Sequence, residues 1–461
     1  MTQYMKKSEN YHLPNPQQIS LGATVNPDVH GYNGKVDAGF PQPYEATVAA
    51  GYIVEAARAA IPGLAQNPDV ASGKPNGAAR FQYSIKPGNK TVVAPDGNTR
   101  SSSANAYIYP SLQKKSNLII LIGHQASGLV WGSRSGSLSR ATGVKFISTP
   151  LLNAELGPEY VVKVCNEVII ASGAIGSPHF LELSGIGDRR ILEQVGIPVE
   201  VDLPAVGTNL QDQALNTVIY TVSPDAPASE FTTYNAPLTP AVAFVDIEQI
   251  LGADAANEVG KDLIESIPIR AKKIVSSGAF TSEMGLVKIL RAQAESILEH
   301  KAPVIEYSFA VSQPAFGERF IVDPQFFLGS DLDIWLKGNA TRLARKIFNT
   351  SPLKEYTVAE IVPGLTTVPE NASDAQWQGF VKSSYSAVLH PIGSVSMLPR
   401  NDGGAVGPDL VVYGTANVRV VDSSIIPIQL SAHLSSTVYG VAEKPLTLYK
   451  AADMIKSSRS H

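Results

Sequence analysis

A single cysteine, Cys165, stands in a chain of 461 residues. This excludes an intrachain disulfide and any zinc site built on several thiolates. Neither sign of charge is in marked excess: 37 Lys and Arg against 41 Asp and Glu give a net charge of −4. A concentrated basic surface for nucleic acid is therefore not expected. No apolar run reaches the roughly 18 to 20 residues that span a bilayer. The opening stretch, MTQYMKKSENYHLPNPQQ, holds Lys6 and Lys7 with no apolar core behind them. No signal peptide is expected there, and the compartment stays open. Four Asn-x-Ser/Thr sequons, at Asn89, Asn339, Asn349 and Asn371, are close to chance for this length.

What is present is a globular composition, 44% apolar and 17% charged, long enough for two or three domains or one large α/β unit. Residues 1–45 read as an irregular lead-in segment, rich in Pro and Gly. A helical period follows over 44–61, then loop over 62–100 and a short helix over 103–112. LIILIGHQASGLVWG (118–132) predicts strand, tight turn, strand, and further strands are expected over 143–149 and 159–173. Residues 179–196 read as two short helical pieces. From 216 to 385 long helical patterns dominate: AFVDIEQILGADAANEVGKDLIESI, MGLVKILRAQAESILEH and DLDIWLKGNATRLARKIF, with a strand expected over 304–312. A last helix is predicted near 435–456.

In IIASGAIGSPHFLELSGIG (169–187) a β-branched strand runs into small residues, then Ser184-Gly185-Ile186-Gly187. Such a segment lets a nucleotide or flavin approach the backbone, and it is equally an ordinary strand-to-helix turn. The wider string is more specific. This segment, ILEQVGIPVEVDLPAVGTNLQDQ (191–213), GNTRSSSANAYIYP (97–110), KKSENYHLP (6–14), LHPIGSVSMLPR and GPDLVVYGTANVRVVDSSIIPIQLSAH occur in order. Together they resemble the glucose–methanol–choline (GMC) flavin oxidoreductases, nearest the glucose oxidase and aryl-alcohol oxidase branch. Gln213 stands where a His is commoner.

The resemblance implies an α/β flavoprotein fold with an antiparallel-sheet substrate part. The flavin-type parts would be 112–215 and 386–461. The substrate parts would be 25–111 and 216–385, with 1–24 leading in. It implies FAD as cofactor, a small-molecule alcohol as substrate, O2 or another electron acceptor, and a fungal-type enzyme of secondary metabolism. On their residues alone, His390 and His433 each sit among small apolar neighbours and read equally as core histidines. The resemblance makes His390 the base that takes the hydroxyl proton, and His433 its partner at the flavin face. An imidazole near neutral pKa suits the proton, and a flavin suits the hydride. The flavin would be touched by Ala126, Gly173, Ala174, Asp422, Ser423, Leu434 and Ser435. No metal is expected. The other histidines, among them His30, read as surface or loop residues, and Cys165 as an inert core residue.

Two departures stand out. No G-x-G-x-x-G turn occurs: GSRSGSLS (132–139) and SGIGDRR (184–190) do not fit it. The chain is therefore expected to lack the βαβ unit that cradles a pyrophosphate, and to look truncated. A second gap is expected between 313 and 323. Weak FAD binding, exposed sheet edges and apolar faces would follow. Two alternatives stay open: an FAD-free descendant doing acid–base chemistry, and an inactive pseudo-enzyme. Substrate identity and oligomeric state are not legible.

Overall fold

Val168, Ile169 and Ile170 are β-branched, as are Val418 and Val420, and this pleat-filling chemistry draws together segments 250 residues apart. Strand Val168–Ile170 pairs in parallel with strand Val418–Val420, Val168 opposite Val418 and Ile170 opposite Val420. The structure, a computed structural model, describes residues 1–41, 48–88, 98–112, 114, 117–149, 157–223, 226, 241–309 and 331–443. Around this parallel pair lies the first core, which joins Leu129, Ile170, Phe180, Leu181 and Ile186 to Ile392, Val395, Val406, Val412 and Ile425. An antiparallel meander, His124–Trp131, Ala141–Ser148 and Glu159–Lys163, flanks it.

The second core is built on a three-stranded antiparallel sheet. Strand Ala241–Val245, AVAFV, is buried throughout and lies between Gly77–Arg80 and Ile305–Ser308. A strand buried on both faces needs a continuous apolar run rather than alternation. Helices Val48–Ala60 and Asp331–Phe348 cover it, placing Ala56, Ala57 and Ile347 in one cluster with the sheet residues. A third cluster, with Leu263, Ile267 and Leu286, comes from helices Ala253–Glu265, Ile267–Ser276 and Glu283–Leu298, with Phe280 added from the loop between the last two. Among the described residues no helix is long and apolar enough to cross a membrane.

Several expectations need correction. The lead-in segment is ordered: helix Thr2–Ser8 is followed by strand Glu9–His12, which pairs in parallel with Val36–Gly39. Pairing across a long loop leaves no local periodicity to read. Residues 118–122 form no strand, and the meander begins only at His124. The single strand expected over 159–173 is two, Glu159–Lys163 and Val168–Ile170. Cys165 lies in the turn between them and is exposed, not core. AFVDI opens as strand, because its neighbours in space are other strands. Strand Gly77–Arg80 interrupts the expected loop over 62–100. The last helix is described over Ser435–Glu443, and the gap expected between 313 and 323 lies outside the described residues.

His30 is also not a surface residue. Its side chain is 1% exposed, with Nε2 2.8 Å from Asp69 and Nδ1 3.0 Å from Glu9. Tyr11 stacks on the ring at 3.7 Å. With a carboxylate on each nitrogen, both nitrogens donate and the ring is an imidazolium.

Candidate active site

His390 follows a leucine in the left-handed region: Leu389 has φ +71° and is 74% exposed. A bulky residue there is uncommon and turns the chain sharply. The turn is fixed by the His390 N–H, which donates to Asp212 Oδ1 at 2.9 Å. The ring is fixed by Gln213, whose Oε1 lies 2.8 Å from His390 Nδ1. Gln213 Nε2 donates to the Leu430 carbonyl at 3.0 Å, which sets the amide orientation. Its Oε1 can only accept, so Nδ1 carries the proton and Nε2 presents a free lone pair. Burial, and then the nearby His433, holds the His390 pKa below 6.5, so the lone pair is available at neutral pH.

His433 comes from the loop before helix Ser435–Glu443, and its ring centre is 5.2 Å from that of His390. The two histidines therefore converge. His433 Nε2 lies 2.9 Å from Glu306 Oε1, and Phe81 packs at 5.0 Å. The hydrogen bond to Glu306 raises the His433 pKa, outweighing burial. Two imidazoles pushed in opposite directions make His390 the readier to stay neutral and His433 the readier to hold a proton. Sequence reading missed Glu306 as a partner. Its signal is only a place on strand Ile305–Ser308, and the sheet brings it to the site. Lys337 was missed as well: burial lowers it to about 8, and it donates to the Ala214 carbonyl at 2.7 Å, pinning the residue after Gln213.

The residues expected to touch a flavin fall into separate places. Gly173, Asp422 and Ser423 cluster. Asp422 Oδ2 accepts from the Gly173 N–H at 2.9 Å and from the Ser177 hydroxyl at 2.5 Å, while Asp422 Oδ1 accepts from the Ser424 N–H at 2.9 Å and from its hydroxyl at 2.5 Å. Ser423 Oγ donates to the Pro391 carbonyl at 3.1 Å, beside His390. Ala174 accepts from Ser394 Oγ. Leu434 is buried in the first core and Ser435 opens helix Ser435–Glu443. Ala126 is exposed on the meander, opposite Phe146. Gly185 has a purely structural reason, since at φ +80° a Cβ would lie 2.4 Å from the Pro198 carbonyl.

This arrangement bears on FAD. A pyrophosphate is held by free N–H groups at a helix N-terminus. At helix Gly173–Leu183 that position is filled by the Asp422 carboxylate, which would repel a second anion. The histidine pair suits the redox end of the cofactor, but the N-terminus of helix Gly173–Leu183 does not fit its pyrophosphate. No group of His, Cys, Asp or Glu among the described residues is arranged to hold a metal ion.

Comparison with known proteins places this geometry. The two GMC oxidoreductase family profiles match residues 69–215 and 316–442. The glucose oxidase-like protein fsoC of Humicola fuscoatra is 31% identical, over 99% of this chain and 75% of its own length. Glucose oxidase 2 of Penicillium expansum is 30% identical, over 96% of this chain and 72% of its own length. Among solved structures, a fungal aryl-alcohol oxidase superposes with a TM-score of 0.74 at 24% identity, covering 100% of this chain and 79% of that one. An FAD-dependent oxidoreductase from Chaetomium thermophilum gives 0.77 at 23%, covering 98% and 80%.

Proposed function

Because this chain belongs to the GMC oxidoreductase family, we propose that it carries the alcohol-activating site of a flavin-dependent alcohol oxidation. The observation that carries this reading is the convergence of His390 and His433 with opposed pKa shifts. The substrate hydroxyl donates its proton to His390 Nε2. Gln213 keeps the imidazole in the accepting tautomer. His433, whose protonated form is favoured by its hydrogen bond to Glu306, offsets the negative charge that develops on the substrate oxygen. The hydride on the carbon needs an acceptor that no side chain provides, and in this family that chemistry is supplied by FAD. No step through FAD is derived for this chain, because Asp422 already takes the first N–H of helix Gly173–Leu183.

The decisive experiment is a spectrum. The purified 461-residue chain is mixed with excess FAD, freed of unbound flavin and scanned. Retention far below one flavin per chain is expected. Stoichiometric retained flavin would show that some other segment supplies the missing N–H donors. The completeness of the histidine pair beside an incomplete flavin site also favours a second reading, non-redox acid–base catalysis. A colourless protein that turns over a hydroxyl substrate without an electron acceptor would establish it.

The electrostatics can be tested without turnover. In an NMR titration of the imidazole C–H signals, His433 should titrate above 6.5 and His390 below it. Glu306→Gln removes the charged acceptor, so the His433 midpoint should fall. The His433 cation is then lost at lower pH, while at His390 the weaker repulsion from His433 and the lost attraction of Glu306 act in opposite directions. Unchanged midpoints in the variant would remove Glu306 from this role.

A further inference from the structure

Residues 427–433, which carry His433, make no backbone–backbone hydrogen bond among the described residues. Such a loop has no register of its own, and the side chains that satisfy its backbone groups set its place. Most of them come from one stretch, Asn209-Leu210-Gln211-Asp212-Gln213. Asn209 Nδ2 and Gln211 Nε2 both donate to the Pro427 carbonyl, each at 3.0 Å, and fill its two lone pairs. Gln211 Oε1 accepts from the Gln429 N–H at 3.1 Å, and Gln213 Nε2 donates to the Leu430 carbonyl at 3.0 Å. Gln211 Nε2 also donates to Asn209 Oδ1 at 2.9 Å, which ties two of the amides together. A spacing of two puts Gln211 and Gln213 on one face of an extended stretch. Asn209 turns at φ +62°, a conformation that asparagine tolerates. Ser431 Oγ adds one bond on the far side, to the Pro303 carbonyl at 2.8 Å.

The backbone of the same stretch grips the segment of the other histidine. Gln211 and Ile392 exchange both backbone hydrogen bonds, at 3.1 and 2.9 Å, and the Val388 N–H donates to the Gln213 carbonyl at 3.0 Å. Side chains thus hold the His433 loop while main chain holds the His390 segment. Gln213 meets both, through the Leu430 carbonyl and His390 Nδ1. We propose that Gln211 is a positioning residue: with Asn209 and Gln213 it clasps the loop at 427–430 and so fixes the distance between His390 and His433. The seating of the loop and the tautomer of His390 then become one event. Without the Leu430 carbonyl the Gln213 amide is free to turn over. Its NH2 would then face His390 Nδ1 and favour the opposite tautomer. The catalytic meaning of that distance rests on the reading given under Proposed function, whereas the clasp does not.

The test uses NMR of the full chain with isotope-labelled histidine, and circular dichroism checks folding. The wild type should show a ring-to-ring proton Overhauser effect between His390 and His433, whose centres are 5.2 Å apart, and a proton on His390 Nδ1. Gln211→Met keeps the length of the side chain and removes its donor and its acceptor, without deleting a bond to either histidine. Loss of the Overhauser effect and a mixture of His390 tautomers are expected. The His390 midpoint should rise toward 6.5, because moving His433 away relieves the burial and the repulsion that lower it, while Asp212 and Glu306, which raise it, stay in place. With FAD and an electron acceptor in excess, kcat for alcohol oxidation should fall by roughly 10- to 100-fold with KM little changed. Asn209→Gly suits the positive φ and deletes one of the two donors to Pro427. It should give smaller changes of the same sign, and it supplies the same readouts if Gln211→Met does not fold. A folded variant with the wild-type Overhauser effect, tautomer and midpoint would overturn the proposal. Separated rings with an unchanged kcat would support the clasp and overturn the alcohol-oxidation reading instead.

Discussion

Replacing His390 with alanine is expected to lower kcat for alcohol oxidation by roughly 10²- to 10⁴-fold, the usual range for a positioned base. The assay is run with FAD and an electron acceptor in excess. The loss should fall on kcat more than on KM, because the lone pair on Nε2 matters chiefly as the hydroxyl proton leaves. His433→Ala should cost less, since it removes a charge beside the reacting oxygen but leaves the acceptor in place. Gln213→Leu gives a third comparison. It keeps the imidazole but removes the Nδ1 partner, freeing the ring to take the wrong tautomer, and should fall between wild type and His390→Ala. Equal losses at both histidines, or a His390→Ala loss smaller than about tenfold, would assign the proton transfer elsewhere.

The second large effect is on stability. His30→Gln should cost about 3–5 kcal/mol, because it strips the cation from two carboxylates, one of them fully buried. The pH dependence has a definite sign. Burial lowers the His30 pKa, but the hydrogen bonds to Asp69 and Glu9 outweigh it and bring the value to about 9. A pKa raised above the ordinary 6.5 stabilises the fold fully below pH 6.5, progressively less from there to about 9, and not at all beyond. Asp69 is shifted the other way, its pKa lowered despite burial by its bond to His30. Its share is therefore present above the ordinary carboxylate value and is lost only in acid. Urea unfolding at a series of pH values should show a decline across 6.5 to 9 in the wild type and a flatter profile in His30→Gln. A parallel decline in both proteins would remove the imidazolium from the account.

How much of this was legible in the sequence depended on how local the cause was. Helix Asp331–Phe348 was read residue for residue from its period, since an amphipathic stripe is a property of one segment. His390 and His433 were found through ordered family motifs, and the structure sets their rings together. Glu306 was not, because a carboxylate in VIEYSFAVS becomes a histidine's partner only once Ile305–Ser308 has paired with Ala241–Val245. His30 was misread for the same reason. Its two carboxylates lie 21 and 39 residues away, and no spacing rule joins them. Cys165 was misplaced because a strand period ran unbroken through a turn. Asp422 was expected to lie beside the cofactor, and the bonds that saturate it come from Gly173 and Ser177 as well as its neighbour Ser424.

That long reach, 249 residues between Gly173 and Asp422, bears on how the polypeptide is made. Strand Val168–Ile170 leaves the ribosome well before strand Val418–Val420 exists to pair with it. At about 5–20 residues per second, its partner arrives roughly 10–50 s later. The second core, whose residues run from Ala50 to Leu353, can close before that interval ends, while the first cannot. The nascent chain thus carries an unfinished parallel sheet and an apolar strand-like run for most of its synthesis, the kind of species that chaperones bind. Synthesis itself sets the order of assembly: the sheet of the second core first, and the meeting of His390 with His433 last.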